Sequence, residues 1–176
     1  MAGRFLNEES QKELRVQRAK WQTVAKIIAA VVIAAVLLLN LFSWQIQVVR
    51  YKGNGMEPNL HSGQTLVILK TQNVEPGDII AFYYNNQILV RRVICAGGSQ
   101  ISIGNDGAVT IDGEALEEPY LNSASMGQCN LTFPYYVQPG HVFVMGDDRV
   151  IAMDSRLSEI GAIPTDRIIG KVIIAL

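Results

Sequence analysis

The sequence has few of the residues that build metal centres and disulfide frameworks. It contains 2 cysteines and 2 histidines among 176 residues, and no Cys-x-x-Cys or His-Glu-x-x-His spacing occurs. These spacings place several ligands around one ion, so their absence excludes the common zinc sites, and we expect no metal and no cofactor. Cys95 and Cys129 permit a single disulfide. Because Cys95 follows an apolar stretch, a reduced core cysteine is an equal alternative.

Net charge is also nearly absent. The chain carries 15 basic and 16 acidic residues, which leaves a formal charge of −1. A protein that binds nucleic acid needs a basic field, so we expect no nucleic-acid partner. Hydrophobic residues, by contrast, make up 49% of the chain, which is more than one soluble core of this size requires.

The apolar surplus is concentrated in one run near the N-terminus. Residues 27–39 read IIAAVVIAAVLLL, and with their flanks they approach the roughly 20 apolar residues that cross a bilayer as a helix. Trp21 and Trp44 stand where tryptophans favour the two membrane interfaces. A cleaved secretory signal is the alternative, but its apolar region spans only about 7–15 residues and precedes a small-residue cleavage site. We therefore predict a transmembrane anchor over residues 22–44.

Basic residues outnumber acidic ones on the N-terminal side of the apolar run. The basic residues are Arg4, Lys12, Arg15, Arg18, Lys20 and Lys26, and the acidic ones are Glu8, Glu9 and Glu13. Basic loops stay in the cytoplasm. This bias predicts a cytoplasmic basic segment over residues 1–21, a single pass through the cell membrane, and an extracytoplasmic part over residues 45–176.

After the anchor, the pattern changes to short apolar runs separated by turn residues, which is typical of β-strands. Asn85-Asn86 reads as a hairpin turn between two of these runs. From about residue 96 to 140 the composition shifts to Gly, Asn, Asp, Ser and Glu, which indicates a small β insertion. We predict strands at residues 65–69, 79–84, 88–90, 100–103, 108–111, 141–145 and 168–176. The predicted fold is a mainly β domain with a small β insertion, preceded by one N-terminal transmembrane helix.

Four motifs of the outer part occur in the order that one known family shows. They are GNGMEPNL at residues 53–60, PGDIIAF at 76–82, VRRVI at 90–94, and VMGDDR at 144–149 followed by DSR at 154–156. In these stretches the chain resembles type I signal peptidases of the Gram-positive type. The resemblance covers nearly all of residues 43–174. It implies a membrane-anchored signal-peptidase-like β fold that acts on leader peptides of exported precursors at the outer membrane face.

The resemblance breaks down where the family carries out its chemistry. Gly55 stands at the place of the serine nucleophile, Arg91 at that of the lysine general base, and Ala152 at that of the serine that orients the lysine. Glycine has no oxygen that could attack a carbonyl. A guanidinium, with a pKa above about 12, stays protonated and cannot accept the serine proton. We therefore expect no intact catalytic dyad.

The resemblance assigns roles to two further groups. The substrate groove would be lined by Gly53, Asn54, Met56, Pro58 and Leu60, with ordinary loop packing as an equal alternative. A structural ion-pair group would consist of Asp147, Arg149, Asp154 and Arg156. We expect Arg91 to join this group through Asp147 or Asp148. A paired-carboxylate site of Asp147 with Asp154 is disfavoured, because the arginines would keep both ionised.

The leading hypothesis is a non-proteolytic protein that binds extended segments of exported precursor or surface proteins by strand addition. By analogy with dyad-lacking relatives associated with pilus assembly, pilins are the first ligands to test. The alternative is an active leader peptidase, a serine-type endopeptidase with an unrecognised nucleophile. Ser62 beside His61 is one example, although adjacent residues of a strand point to opposite faces. A degenerate copy without a role is a third alternative.

Overall fold

The computed structural model describes residues 8–176, with side chains from Lys12 onward except Phe42. The chain divides into two units between Trp44 and Gln45. The first unit is helix α1 (Glu8–Ser43), in which Lys12–Leu41 is long and apolar enough to cross a membrane. The helix continues without a break through position 22, where the sequence places the start of the anchor. Residues 1–7, with Arg4 of the predicted cytoplasmic segment, lie outside the described residues.

The second unit consists of β-strands, and the prediction of a mainly β domain behind one apolar helix is confirmed. The first strands are β1 (Ile46–Arg50), β2 (Thr65–Leu69), β3 (Ile79–Tyr84), β4 (Gln87–Ala96), β5 (Gln100–Ile103) and β6 (Val109–Ile111). The later strands are β7 (Glu114–Ala115), β8 (Tyr135–Tyr136), β9 (His141–Met145), β10 (Ile163–Pro164) and β11 (Ile168–Ala175). Asn85 and Asn86 form the predicted hairpin turn, with φ of 44° and 60° as a primed turn requires.

A seven-stranded antiparallel sheet forms the body of the second unit, in the order β1-β2-β11-β3-β4-β9-β10. The last strand, β11, lies between β2 and β3. The apolar run at the end of the chain is therefore an internal strand, as its buried Ile168 requires. Two clusters of buried apolar side chains pack against this sheet, one around Phe82 and Val144 and the other around Leu66 and Val90.

A smaller sheet, ordered β7-β6-β5-β8, lies within the predicted insertion. Its Ile101 and Val109 pack against Phe143 of the larger sheet in a third apolar cluster. Cys95 is buried in this cluster, and both Cys95 and Cys129 are free thiols. Of the two alternatives given for Cys95, a disulfide and a reduced cysteine in the core, the structure shows the second. Burial raises the pKa of the Cys95 thiol to about 12, which keeps it protonated at neutral pH.

Besides the short terminal strand β10, two stretches of the larger sheet have an edge without a partner strand within the described residues. Residues Gln87 to Arg91 of β4 pair with β3 on one side, whereas β9 joins β4 only from Arg92 onward. Strand β1 is the terminal strand of the sheet, since it pairs with β2 alone. Backbone N–H and C=O groups on such edges are free to bind another strand.

Candidate binding site

The glycine-rich stretch forms a tight loop directly after β1. Tyr51 anchors its start, because its N–H donates to the Gln64 carbonyl at 2.8 Å and its carbonyl accepts from the Gly63 N–H at 2.9 Å. Gly53 has φ of 125°, a conformation that favours glycine. The Leu60 N–H donates to the Met56 carbonyl at 2.9 Å and closes the loop. The loop is thus held by backbone hydrogen bonds and presents Gly55 at a fixed position.

The structure brings Gly55, Arg91 and Ala152 together at one buried point. A Cβ atom at position 55 would lie 3.2 Å from Nη2 of Arg91, 3.3 Å from its Cζ and 3.4 Å from Cα of Ala152. The Gly55 carbonyl accepts the Asp148 N–H at 3.1 Å, which ties the two loops together. A side chain at the neighbouring Gly146 would collide with Cβ of Ala152 and with the Gly55 carbonyl oxygen. The three positions to which the resemblance assigned a nucleophile, a base and an orienter are therefore in contact.

Arg91 fills the space beside Gly55 and is 7% exposed. Its Nε donates to the Met153 carbonyl at 2.9 Å, and its Nη1 donates to the Val90 carbonyl at 2.6 Å. Burial lowers the pKa of Arg91, and the Asp154 carboxylate and Tyr51 partly oppose this shift. A guanidinium starts from so high a pKa that it stays protonated at neutral pH. Arg91 therefore remains a buried cation that is held mainly by backbone oxygens.

The expectation that Arg91 pairs with Asp147 or Asp148 is wrong. Asp147 binds Arg92, with Nε to Oδ1 at 2.9 Å and Nη2 to Oδ2 at 2.6 Å. Within the described part of the chain, Arg91 makes no ion pair with a carboxylate. The physical reason is strand geometry: adjacent residues of β4 point to opposite faces, so the residue after Arg91 reaches the Asp147 side.

The expected group of Asp147, Arg149, Asp154 and Arg156 is buried, but it does not form one network. Only Asp154 and Arg156 pair with each other, at 2.9 and 2.8 Å. Arg149 instead pairs with Glu118 of the insertion. Three separate ion pairs thus brace the loops behind Gly55.

Sequence reasoning missed two partners in these ion pairs. Arg92 stands in the same motif as Arg91, and strand alternation was the signal that could have separated their roles. Its guanidinium also lies 4.1 Å above the Tyr120 ring, where the ring face attracts a cation. Glu118 precedes Arg149 by 31 positions and lies in the insertion, so no local pattern indicated it.

The predicted groove residues divide into two groups. Met56 and Leu60 are 0% and 3% exposed and belong to the apolar cluster around Leu66, so the prediction that they line a groove is wrong. The alternative of loop packing describes them, because their apolar side chains gain more from burial in the core than from an open surface. Gly53, Asn54 and Pro58 are exposed on the same loop.

An open groove of about 460 Å³ lies between the end of β1 and the first half of β4. Its walls are residues 49–52 and 87–90, which include the unpaired edge of β4. Arg91 follows directly after this wall and binds its last carbonyl, that of Val90. The groove therefore leads along a free strand edge towards the Gly55 contact. Among the described residues, no cluster of three or more His, Cys, Asp or Glu side chains suits a metal ion.

Comparisons with known proteins agree with the four motifs. A family model of signal peptidases, peptidase S26, matches residues 21–176. The chain is 35% identical over 169 residues to signal peptidase I of Bacillus amyloliquefaciens, covering 89% of this chain and 84% of the relative. It is 31% identical over 176 residues to signal peptidase I T of Bacillus subtilis, covering 93% and 90%. A crystal structure of a signal peptidase I from Enterococcus faecalis is 27% identical, with a TM-score of 0.49 over 58% of this chain and 97% of that chain.

Proposed function

The chain belongs to the signal peptidase family, peptidase S26, as its four motifs predicted, and from this premise we propose that it binds exported precursor proteins without cleaving them. The observation that carries the proposal is the contact of Gly55, Arg91 and Ala152. In the family, these positions hold a serine, a lysine and a serine. Here the same small volume has no attacking oxygen, no proton acceptor and no orienting hydroxyl.

Neither remaining group at this point can do the missing chemistry. Gly55 has no side chain. Arg91 offers only donors, and lowering its pKa by burial still leaves a guanidinium that is protonated at neutral pH. A serine protease needs a base that accepts the hydroxyl proton during attack. The chemistry of these two residues therefore supports a proposal without cleavage at this site.

The alternative of an unrecognised nucleophile draws on the relatives, which are named signal peptidases. The described serines near the site do not favour it. Ser155 is 0% exposed, and its hydroxyl accepts the Val144 N–H at 3.0 Å. Ser62 accepts the Gly53 N–H at 3.3 Å, and its neighbour His61 lies 3.9 Å from the Glu57 carboxylate. We therefore prefer a binding function.

The groove supports binding by strand addition. An extended peptide can pair with the free edge of β4 over Gln87 to Val90, as peptides add to exposed sheet edges elsewhere. Backbone hydrogen bonds of this kind recognise the extended conformation of a ligand more than its sequence. Unfolded segments of exported precursor or surface proteins have that shape, and pilins are the first to test by analogy.

The membrane arrangement forms part of the proposal. The apolar stretch of α1 would span the lipid bilayer over residues 22–44, and the basic residues before it would keep residues 1–21 in the cytoplasm. The β unit over residues 45–176 would then face the compartment through which exported proteins pass. A cell-membrane protein with this single-pass topology would meet its ligands at the outer face.

The test uses the full-length protein in lipid nanodiscs and a leader peptide with small residues at the −1 and −3 positions. We expect binding without turnover. The triple variant Gly55→Ser, Arg91→Lys, Ala152→Ser returns nucleophile, base and orienter to positions already in contact, and weak cleavage is expected from it. The matched control carries Gly55→Ala with the same two other changes, so that only the attacking oxygen differs. Turnover by the unaltered protein that survives repurification would contradict the proposal.

A further inference from the structure

Arg91 carries a buried positive charge that makes no direct ion pair with a carboxylate of the described residues, although the Asp154 carboxylate lies near enough to stabilise it in part. The other three arginines of this region, Arg92, Arg149 and Arg156, each pair with one carboxylate. These pairs use Asp147, Glu118 and Asp154, so each of these three carboxylates already has one arginine as its ion-pair partner. A charge in a low-dielectric environment is stabilised strongly by an opposite charge beside it. Arg91 therefore has no direct ion-pair partner of its own among the described residues.

The guanidinium of Arg91 also has a donor to spare. Nε and Nη1 are used by backbone carbonyls, whereas Nη2 makes no hydrogen bond to the described residues. The Tyr51 hydroxyl is buried without a hydrogen-bond partner in that part of the chain, and it lies near enough to the Arg91 guanidinium to stabilise its charge. Nη2 is also the atom nearest to the empty side-chain position of Gly55. A charged donor without a hydrogen-bond partner thus lies beside Gly55, on a residue that is 7% exposed.

The surroundings of this donor suit the end of a peptide chain. The groove between residues 49–52 and 87–90 leads to it along the free edge of β4. Nη1 of Arg91 donates to the Val90 carbonyl, so we expect strand pairing with an added peptide to end at Val90. The Tyr51 hydroxyl, on a residue that lines the groove and is 4% exposed, has no hydrogen-bond partner among the described residues and is a second donor near the guanidinium. A free carboxylate has the charge and the acceptor oxygens for these donors.

We infer that this site binds the C-terminal carboxylate of an extended peptide that lies in the groove. The inference rests on the proposed function, because it names which peptides the groove prefers: those that end at Arg91 rather than those that continue past it. Peptides of this class are the products of a completed cleavage, not its substrates. The carboxylate supplies the direct ion-pair partner that Arg91 lacks among the described residues.

The experiment compares three peptides on the full-length protein in nanodiscs, by fluorescence polarisation with the label at the peptide N-terminus. One leader peptide of about ten residues ends in Ala-Gln-Ala with a free carboxylate, the second ends in the amide, and the third continues for about four residues. We expect the acid to bind at least about tenfold tighter than the amide and the extended peptide, as loss of a charge-assisted hydrogen bond implies.

Protein variants connect the preference to Arg91. Arg91→Gln should abolish the difference between acid and amide, while Arg91→Lys, which keeps the charge, should retain part of it. The matched control is Lys70→Gln, which removes a positive charge at the far end of β2 and should leave the difference unchanged. Sodium acetate at equal ionic strength distinguishes binding of a free carboxylate anion from binding of a peptide C-terminus. Acetate should not displace the acid peptide at concentrations near the Kd of that peptide.

The outcomes separate this inference from the proposed function. Equal binding of acid, amide and extended peptide would overturn the inference and leave strand addition intact. Binding of none of them would overturn the proposed function and the inference together. Displacement by acetate alone would show a free-anion site and would contradict recognition of a peptide end. The peptide comparison on the unaltered protein holds even if a variant fails to fold.

Discussion

Replacing Arg91 and Arg156 separately by methionine tests the distinction between an unpaired and a paired buried arginine. Methionine keeps much of the side-chain length and removes the charge. Arg156 is 0% exposed and binds both oxygens of Asp154, together with the carbonyls of Met126 and Arg149 at 2.8 Å. Arg156→Met leaves the Asp154 carboxylate buried without a counter-charge. Loss of one partner from such a pair costs about 3–5 kcal/mol.

Arg91→Met has two opposing effects. The change leaves the Met153 and Val90 carbonyls without their donor, which costs roughly 1.5–3 kcal/mol for each hydrogen bond to a charged group. It also removes an uncompensated ion from a buried place, where desolvation costs about several kcal/mol. The two effects nearly offset each other, so we expect a change in the free energy of unfolding within about 1 kcal/mol of zero.

Thermal unfolding of the full-length protein in detergent micelles, followed by near-ultraviolet circular dichroism, measures both changes. All 6 tyrosines lie after residue 44, so the tyrosine signal reports on the β unit. For a unit of this size, 1 kcal/mol corresponds to about 3–5 °C in Tm. We expect Arg156→Met to lower Tm by about 10–20 °C and Arg91→Met to change it by no more than about 5 °C. An equal, large loss in both variants would refute the reasoning and would mean that Arg91 has a carboxylate partner after all.

Four further predictions concern the thiols, the topology and the packing beside Gly55. A maleimide at pH 7 should label Cys129 but not buried Cys95 until the protein is unfolded, as mass spectrometry would show; equal labelling of both would contradict the core position of Cys95. The pKa of Cys95 is raised from 9.0 to about 12. Its protonated thiol therefore favours the folded state fully below about pH 9, and this contribution falls as the pH rises towards 12. Over that range Cys95→Ala should lose less stability than the unaltered protein. A reporter fused after Leu176 should lie outside the cytoplasmic membrane, whereas a soluble mature form that begins near Gln45 would show that the helix is a cleaved signal. Gly146→Ala should destabilise the protein by about 1–3 kcal/mol in urea unfolding, because its Cβ would collide with Ala152 and the Gly55 carbonyl; an unchanged midpoint would place these loops farther apart.

The sequence by itself determined the elements whose cause is local. The runs at residues 65–69, 79–84 and 141–145 became strands with those bounds, because alternating or continuous apolar side chains over a few residues suit a half-buried or buried strand. Asn85-Asn86 turned the chain, because asparagine tolerates positive φ better than most residues. That Gly55 offers no attacking oxygen and Arg91 no proton-accepting nitrogen was also readable, because both follow from the covalent structure of these residues.

Only the tertiary structure decided which charges meet and which apolar residues are buried. The motif around Arg91 contains two adjacent arginines, and the alternation of β4 sends Arg92 rather than Arg91 to Asp147. Glu118 reaches Arg149 across 31 positions, a contact set by how the insertion folds against the sheet. Met56 and Leu60 lie on the glycine-rich loop but pack into the core, because the loop closes over an apolar cluster formed by distant strands. Pairing and burial depend on long-range contacts that no local pattern encodes, so Arg91 was left as an unpaired cation by the fold rather than by its own motif.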